Sequence, residues 1–343
     1  MIETKRPESP TQKPLVSILM LAYRHEAYIA QAIEGVLAQS CDFPIELIIA
    51  EDCSPDATRA IAEIYQCRHP EVIRIVTGDE NIGVMRNFYR ALAQCRGAYV
   101  AFCEGDDYWC NPTKLAKQIA MMEVDAGLGM THGNYVTARP SQTGWVVGGR
   151  GAHDGRGSDE LSGDMFSLSL RELAPRTCTM VVRRVVLDDL GDSVLGNPDY
   201  VAGDLPITVF CAANWRIGYL DEVVAVYRLS PNSATRNSFQ SKLRFFEGLV
   251  KIRDDIEATF GHRADFDRSS AAWVHDTHAQ IAFRANDPAA FAQAMRRLRE
   301  IDPRSAGRFG LRLRQVLLAH QRLTLASNKL IDFARSVQTT FRS

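Results

Sequence analysis

Short apolar runs alternate with amphipathic stretches along roughly the first hundred residues. Residues 14–23 form a continuous apolar run, as in a strand that is buried on both faces of a parallel sheet. Residues 26–38 repeat apolar side chains at the i, i+3, i+4 spacing of a helix, and residues 45–50 form a second apolar run. The alternation continues with strands predicted at 72–76 and 98–103, a helix at 84–95 and a helix opened by Ser54-Pro55. This order predicts a doubly wound α/β sheet.

The pattern changes twice farther along the chain. Residues 144–163 are rich in glycine and lack periodicity, which is typical either of a plain surface loop or of a lid over a ligand. After Tyr227-Arg228 only helical patterns remain, and Asp287-Pro288 and Asp302-Pro303 each place an N-cap before a first-turn proline. We therefore expect a polar tail over 1–13, an α/β domain over 14–235 and an all-helical region over 236–343.

Composition and charge narrow the class of protein. The 343 residues are 46% hydrophobic and 24% charged, as in a folded chain. A formal net charge of −1 gives no general attraction to nucleic acid, so we expect no nucleic acid partner. The eight cysteines form no C-x-x-C pair, and neither a signal peptide nor an apolar run of about 18 residues occurs. We expect reduced thiols and a cytoplasmic protein.

Three acidic residues follow the fourth predicted strand. Ligands of such sheets gather where the parallel strands end, and Glu104, Asp106 and Asp107 come directly after the strand that closes at Cys103. Carboxylates this close repel one another unless a cation lies among them, and oxygen ligands suit Mg²⁺ or Mn²⁺. For Asp107 alone, the alternative is a capping role at the start of the next segment.

Four sequence blocks occur in order along the first two thirds of the chain. They are VSILMLAYRHE (16–26), LIIAEDCSPDATRAI (47–61), NIGVMRNFYRAL (81–92) and AYVAFCEGDDYW with NPTKLAKQI (98–119). In these blocks and their spacing the chain resembles the family 2 inverting glycosyltransferases of A-type fold, from about Pro14 to Arg228. The resemblance implies a Rossmann-like nucleotide-diphospho-sugar transferase domain, followed here by the helical region.

Two positions depart from the usual pattern of that family. Glu104 stands where the family has the first Asp of its D-x-D motif. Residues 51–54 read Glu-Asp-Cys-Ser in place of Asp-Asp-Gly-Ser. Both changes keep the acidic charge, so the same roles are expected.

The resemblance implies a role for residues in each block. Ala22 and Tyr23 would line the base pocket of a nucleoside-diphosphate sugar, and Asp52 would accept a hydrogen bond from a ring N–H of the base. Asp106 would hold Mg²⁺ or Mn²⁺ on the diphosphate, with Glu104 toward the ribose. The other residues implied in nucleotide-sugar binding are Glu26, Asn81, Gly83, Asn87, Gly105, Asp107 and, toward the phosphates, Arg228.

Catalysis also needs a base that takes the proton from the acceptor hydroxyl. The family places this base at an acidic residue that opens a helix after the acceptor loop, and Asp204 in the segment 201–221 has that position. An Asp at the start of a helix is also a common N-cap, so a capping role is the alternative. If Asp204 is only a cap, Asp199 is the next candidate for the base.

Other motifs give little support to other chemistry. The chain has no G-x-G-x-x-G after its first strand and no G-x-x-x-x-G-K-[ST], which argues against dehydrogenases and P-loop enzymes. His275 and His278 lie one helical turn apart, but no third ligand follows at metal spacing. Cys178 has no recognisable partner for nucleophilic catalysis. Gly83 fits a plain turn as well as a close approach to a nucleotide.

The end of the chain is basic and amphipathic. Between residues 308 and 342, basic side chains alternate with leucines, and Asp332 is the single acidic residue. We expect this stretch to pack on a neighbouring element. Contact with anionic lipid at the inner face of the cytoplasmic membrane and a homodimer contact are the alternatives.

Together these features predict a metal-dependent inverting glycosyltransferase. It would move a sugar from a nucleoside-diphosphate donor, with a UDP-sugar favoured, to a hydroxyl of a glycan or polyprenyl-linked acceptor in surface polysaccharide synthesis. A sugar nucleotidyltransferase is the alternative enzyme, although the first strand lacks the usual Gly-rich phosphate loop. A nucleotide-sugar-binding protein of the same fold without turnover is the alternative outside catalysis.

Overall fold

The structure is a computed structural model, and it describes residues 13–142, 144–230, 238–307 and 314. The chain divides into two compact units, a first unit of residues 1–230 and a second unit of residues 231–343. The first unit contains the sheet and the second, in its described part, contains helices.

The first half of the first unit alternates strands and helices, as the hydrophobic pattern predicts. The elements are β1 (Val16–Ala22), α1 (Ile29–Leu37), β2 (Ile45–Glu51), α2 (Thr58–Arg68), β3 (Ile73–Val76), α3 (Val84–Leu92) and β4 (Tyr99–Phe102). Strands β3, β2, β1 and β4 lie side by side and all run parallel. Strands β1, β2 and β4 are almost wholly buried, which explains their uninterrupted apolar runs.

Helix α2 begins later than predicted. It begins at Thr58 rather than at Ser54-Pro55. Asp56 accepts hydrogen bonds from the backbone N–H of Thr58 at 3.1 Å and from its hydroxyl at 2.6 Å, and Ser54 Oγ accepts from Arg24 N at 3.1 Å. Side-chain bonds of this kind hold the backbone in a turn, which competes with an earlier start of the helix.

The second half of the sheet is mixed in direction. Its elements are β5 (Tyr108–Trp109), α4 (Lys114–Val124), β6 (Leu128–Ser141), β7 (Gly144–Val147), α5 (Phe166–Arg171), β8 (Val181–Arg183), α6 (Arg184–Gly191), α7 (Asp204–Asn214) and β9 (Arg216–Arg228). Strand β8 runs antiparallel to β4 and β6, whereas β6 and β9 are parallel. Across the described residues the strand order is β3-β2-β1-β4-β8-β6-β9-β5, with β7 paired to β6. The doubly wound pattern therefore covers the first four strands only.

The glycine-rich stretch over 144–163 is tied to the sheet. It opens as β7, which pairs with β6, and continues as a mostly exposed loop in which His153 and Leu161 are buried. Two buried histidines hold this region: His132 Nε2 lies 2.9 Å from Leu161 O, and His153 Nε2 lies 3.0 Å from Ala174 O. The description as a plain surface loop therefore fits this stretch only in part.

The second unit is helical in its described part, as the change of pattern after residue 228 predicts. Its helices are α8 (Phe239–Phe260), α9 (Ala272–Ala285), α10 (Pro288–Ile301) and α11 (Pro303–Ala306). Asp287 caps α10 by accepting from Ala290 N at 2.9 Å, and Asp302 caps α11 by accepting from Ser305 N at 3.0 Å. Both caps precede a proline, as predicted.

Three further expectations concern helices. His275 and His278 are buried in α9, and within the part of the chain that the structure describes no set of metal-binding side chains includes them. The basic stretch 308–342 lies outside the described residues apart from Arg314. None of the helices found in the described ranges combines the length and the apolar character needed to cross a membrane.

A buried carboxylate joins the parallel strands at the edge where they begin. Glu46 on β2 accepts hydrogen bonds from Ser17 Oγ at 2.7 Å, Arg96 N at 2.7 Å, Arg96 Nε at 2.9 Å and Arg74 Nη2 at 2.8 Å. Burial alone would raise the pKa of Glu46, but the hydrogen bonds from Ser17 and Arg96 and the charge of Arg74 lower it below its ordinary value. This carboxylate therefore links β1, β2, β3 and the segment before β4.

Glu46→Ala should lower the free energy of unfolding by about 3 kcal/mol at pH 7, because it leaves several buried donors without an acceptor. Chemical denaturation measures this difference. Since the folded-state pKa is lowered, the stabilisation is present above the ordinary glutamate pKa and is lost as pH falls through the lowered value, so the two curves should converge in acid. The control is Glu63→Ala, which removes an exposed partner of Arg59. Equal losses in both variants would contradict the role of Glu46.

Candidate active site

The acidic loop after β4 lies against the end of β1. Gly105 N donates to Leu21 O at 2.9 Å, and Asp107 N donates to Glu104 O at 3.0 Å. A Cβ atom on Gly105 would lie 2.7 Å from His25 Nδ1, so this close approach requires glycine. The sheet thus brings the segments after β1 and β4 together, as the strand pattern predicts.

The three carboxylates of this loop have different surroundings. Asp106 is the open one: its side chain is 26% exposed, and its Oδ1 lies 4.0 Å from His25 Nε2. Burial, together with the charges of Asp106 and Asp204, raises the pKa of Glu104 to about 7. Burial also raises the pKa of Asp107 well above its ordinary value. The loop therefore holds more negative charge than its surroundings stabilise.

The loop has donors that suit a hard divalent cation. The side-chain ligand atoms of Glu104, Asp107 and Cys178 all lie within 4.8 Å of one another. Glu104 Oε2 is shielded from water and has no hydrogen-bond partner among the described residues. Burial raises the pKa of Cys178, so its sulfur stays a thiol and is a poor ligand beside the carboxylates. With Asp106 added, the carboxylates fit Mg²⁺ or Mn²⁺.

Arg228, at the end of β9, holds the acidic loop in place. Its backbone N donates to Asp107 Oδ1 at 2.8 Å, its Nη1 donates to Asp106 O at 2.8 Å, and its Nη2 donates to Gln31 Oε1. Three aromatic rings surround the guanidinium with centroids 4.6 to 5.8 Å from Cζ, those of Tyr28, Tyr108 and Trp145. These contacts give Arg228 a positioning role, while its predicted phosphate contact stays a prediction.

Asp52, after β2, binds the backbone of the block that follows β3. Its Oδ1 accepts from Ile82 N at 3.0 Å and its Oδ2 from Gly83 N at 2.9 Å, while Asn81 Nδ2 donates to Asp52 O at 3.1 Å. Gly83 has a φ of 87°, a conformation that favours glycine. Each carboxylate oxygen has a second lone pair, so Asp52 can keep these bonds and accept one more from a base.

Asn87 on α3 is packed beneath this block. Its side chain is buried, its Nδ2 donates to Ala50 O at 2.8 Å, and its Oδ1 accepts from Arg90 Nη2 at 2.6 Å. Arg90, which the sequence did not single out, also donates to Glu51 O at 3.1 Å and lies 3.6 Å from Asp52 Oδ1. Asn87 and Arg90 therefore fix the end of β2.

Ala22, Tyr23 and Glu26 lie at the end of β1. The buried Ala22 accepts from Asp52 N at 3.0 Å through its backbone oxygen. The Tyr23 side chain is exposed to solvent. Glu26 Oε2 accepts from Ala57 N at 3.0 Å, which joins the segments after β1 and β2. Tyr23 and Glu26 are both exposed, and Tyr23 offers a ring on which a base could stack.

Asp204 is the first residue of α7, as predicted for the base. Its Oδ1 accepts from Leu205 N at 2.8 Å, and Gly203 holds the N-cap position. Burial raises the pKa of Asp204 above its ordinary value, and the charge of Arg176 acts in the opposite direction. The negative charge of Asp204 acts on Glu104, so the candidate base lies within electrostatic reach of the acidic loop.

Asp199, the second candidate for the base, has different surroundings. Its side chain is 63% exposed and lies 2.7 Å from Arg86 Nη2 in an ion pair at the surface. Asp199 is therefore held in a surface ion pair, and Asp204 stays the first candidate for the base.

Some residues near the candidate site could not be predicted from the sequence. Arg176 lies between the rings of Tyr135 on β6 and Tyr227 on β9, and its charge reaches Asp204. These three residues come from distant parts of the chain and form no motif. The position of Tyr227 beside Arg228 is the one hint that the sequence contains.

Comparison with known proteins assigns the chain to a family. Residues 17–150 match the family model described as glycosyl transferase family 2. The chain is 32% identical over 253 residues to the uncharacterized protein Rv1520 of Mycobacterium tuberculosis (strain ATCC 25618 / H37Rv), which covers 72% of this chain and 70% of that protein. This chain belongs to glycosyl transferase family 2. It is a glycosyltransferase, as predicted, and the nucleotidyltransferase alternative is set aside.

Other relatives of this family 2 glycosyltransferase match shorter stretches. TuaG of Bacillus subtilis (strain 168), named provisionally as a teichuronic acid biosynthesis glycosyltransferase, is 40% identical over 110 residues. That match covers 32% of this chain and 42% of TuaG. The similarity to TuaG is therefore local.

Solved structures confirm the A-type fold that the resemblance implies. S. aureus TarS 1–349, in complex with UDP-GlcNAc, superposes with a TM-score of 0.58 at 21% identity and covers 95% of this chain and 91% of that chain. The mannosyltransferase PcManGT from Pyrobaculum calidifontis, in complex with GDP-Man and Mn²⁺, gives a TM-score of 0.57 at 17% identity and covers 93% and 88%. At such identities the likeness shows the fold alone.

Asp52→Ala should weaken the binding of UDP by about 1–3 kcal/mol, because it removes the carboxylate that holds the backbone of Ile82 and Gly83 and that would meet the base. Isothermal titration calorimetry with folded protein measures this change. Asp125→Ala, which removes the partner of Arg216 at the other edge of the sheet, is the matched control and should bind UDP like the wild type. Unchanged affinity in Asp52→Ala would place the nucleotide elsewhere.

Proposed function

We propose that this family 2 glycosyltransferase is metal-dependent and inverting. It transfers a sugar from a UDP-sugar to a hydroxyl of a glycan or polyprenyl-linked acceptor, with Asp204 as the base. The observation that carries the proposal is the cluster of carboxylates after β4, with Glu104 and Asp107 ligand atoms within 4.8 Å of each other and Asp204 close enough for its charge to act on Glu104. A leaving diphosphate and an attacking hydroxyl need these two groups on either side of the same sugar.

We assign the metal to Asp106, because it is the most open carboxylate of the loop. Bound there, Mg²⁺ or Mn²⁺ would offset the negative charge that grows on the departing diphosphate. Arg228 holds the backbone oxygen of Asp106, and Gly105 fixes the loop against β1, so the carboxylate is oriented before any ligand binds. The complex of PcManGT with GDP-Man and Mn²⁺ supports the assignment by analogy.

Asp204 has the surroundings of a general base. Burial raises the pKa of Asp204 above its ordinary value, which makes the carboxylate a stronger base than an aspartate in water. Its bond to Leu205 N fixes one oxygen and leaves the other for the acceptor O–H. As the acceptor oxygen bonds to the anomeric carbon, the bond from that carbon to the diphosphate breaks and the proton passes to Asp204. A single displacement of this kind inverts the anomeric centre.

The donor is inferred from the solved structures and from the exposed ring of Tyr23. The acceptor is inferred from the name of a relative. UDP is favoured because TarS 1–349 was solved with UDP-GlcNAc. A base of either kind would stack on the exposed ring of Tyr23, which follows Ala22, the residue whose backbone oxygen binds Asp52 N. The name of TuaG supports an acceptor in cell-surface polysaccharide synthesis. A GDP-sugar is the competing donor, since PcManGT was solved with GDP-Man.

Asp204→Asn should lower turnover by about 10²–10⁴-fold, because the amide keeps the size of the side chain and cannot accept the proton. Donor affinity should stay nearly unchanged. Steady-state kinetics with a UDP-sugar, together with calorimetric UDP binding, separates the two effects. Because the pKa of Asp204 is raised, wild-type activity should be present above that pKa and fall as pH drops through it.

The matched control is Asp199→Asn, which makes the same chemical change at an exposed, ion-paired aspartate. It should retain turnover close to that of the wild type. Loss of turnover in Asp199→Asn with normal turnover in Asp204→Asn would move the base to Asp199.

A further inference from the structure

Arg176 packs against two aromatic rings near the candidate active site. Its Cζ lies 5.4 Å from the ring centroid of Tyr135 and 4.7 Å from that of Tyr227. The two rings themselves meet edge to face, with centroids 6.3 Å apart. Tyr135 on β6 and Tyr227 on β9 therefore form an aromatic site for the guanidinium, which we call the aromatic seat.

This seat leaves most of the guanidinium donors unused. Of the five N–H groups of Arg176, one donates from Nη2 to Tyr135 Oη at 3.3 Å, and Nε is shielded from water without a partner among the described residues. The five N–H groups lie in the plane of the guanidinium, in a fixed fork. Arg228 is also enclosed by rings, but its donors are bound to Asp106 and Gln31.

The position of Arg176 ties it to the reaction centre. Its positive charge acts on Asp204, and the charge of Asp204 acts on Glu104. A partly buried guanidinium with unused N–H groups can bind phosphate or carboxylate oxygens with two parallel hydrogen bonds, and Arg176 lies two residues before Cys178, whose sulfur is within 4.8 Å of the ligand atoms of Glu104 and Asp107. A ligand that sits between Asp204 and the acidic loop would meet these donors.

We infer that Arg176, seated on Tyr135 and Tyr227, binds an oxyanion group of a substrate beside Asp204. Two sources have this chemistry: the diphosphate of the donor, and an acidic substituent of the acceptor, such as a phosphate or a carboxylate. The inference rests on the proposed function, because it takes Asp204 and the acidic loop as the place of sugar transfer.

The test compares wild type with Arg176→Gln and Arg176→Lys. Calorimetry with Mg²⁺ measures the binding of UDP and of uridine, which lacks the phosphates. A second titration adds inorganic phosphate or glucuronate to the protein with and without UDP. The control is Arg216→Gln, which removes an exposed arginine that pairs with Asp125 at 2.6 Å. Thermal unfolding checks that each variant is folded.

If the donor is the source, Arg176→Gln should weaken UDP binding about tenfold or more and leave uridine binding unchanged. If the acceptor is the source, UDP binding should be unchanged, and the binding of phosphate or glucuronate to the wild type should be lost in Arg176→Gln. Arg176→Lys keeps the charge but cannot form two parallel hydrogen bonds, so it should show a smaller loss of binding in the same titration. If Arg176→Gln does not fold, the Arg176→Lys titrations decide between the two sources.

The inference is overturned if both Arg176 variants bind UDP, phosphate and glucuronate as the wild type and Arg216→Gln do. The titrations without UDP keep this outcome separate from the proposed function. A wild type that binds neither UDP nor uridine would contradict the UDP donor alone, while the anion titrations still decide the role of Arg176.

Discussion

The candidate active site depends on one constraint, the free-energy cost of holding several carboxylates together away from water. Glu104, Asp106, Asp107 and Asp204 come from the loop after β4 and from the start of α7. Burial raises the pKa of Glu104, Asp107 and Asp204 above their ordinary values. Such an arrangement is stabilised either by protonation or by cations, and the chain supplies Arg228 and Arg176 as part of the positive charge. A divalent metal ion and its diphosphate ligand would supply the rest.

The fold keeps these charges in place through backbone contacts and packing behind the loop. Lys114, at the start of α4, is fully buried, and its Nζ lies 4.1 Å from the ring centroid of Trp109. Burial lowers the pKa of Lys114 to about 7. Trp109 Nε1 donates to Cys178 O at 2.7 Å, which ties β5 to the segment beside Glu104. These contacts support the acidic loop from behind. Its open side is at Asp106, where a ligand would bind.

The sequence predicts the parts of this site that local chemistry determines. Continuous apolar runs mark β1, β2 and β4, and the residues that follow them, such as Asp52 and Glu104–Asp107, are found at one edge because parallel strands end together. The start of α7 at Asp204 can also be predicted from the sequence, because an acidic residue before an apolar run favours the start of a helix. Family resemblance adds the order of these blocks and the assignment of the fold, which the matching family and structures confirm.

Other features depend on contacts between distant segments, and no local pattern encodes them. Strand β8 has three residues, too few for its antiparallel direction to show in the sequence. Arg176 reaches the cleft only because β6 and β9 pair in parallel and bring Tyr135 and Tyr227 to it. The later start of α2 at Thr58 follows from side-chain bonds of Asp56 and Ser54 that a helix pattern does not reveal.

The central claim is that Asp106 holds the cation through which the acidic loop binds a diphosphate. Calorimetric titration of UDP with and without Mn²⁺ tests it most directly, on wild type, Asp106→Asn and Asp79→Asn, an exposed aspartate in the loop after β3. The account predicts that wild type and Asp79→Asn bind UDP far more tightly with Mn²⁺ than in EDTA, and that Asp106→Asn loses this difference. UDP affinity that is the same in EDTA, or a Mn²⁺ effect that survives in Asp106→Asn, would contradict it.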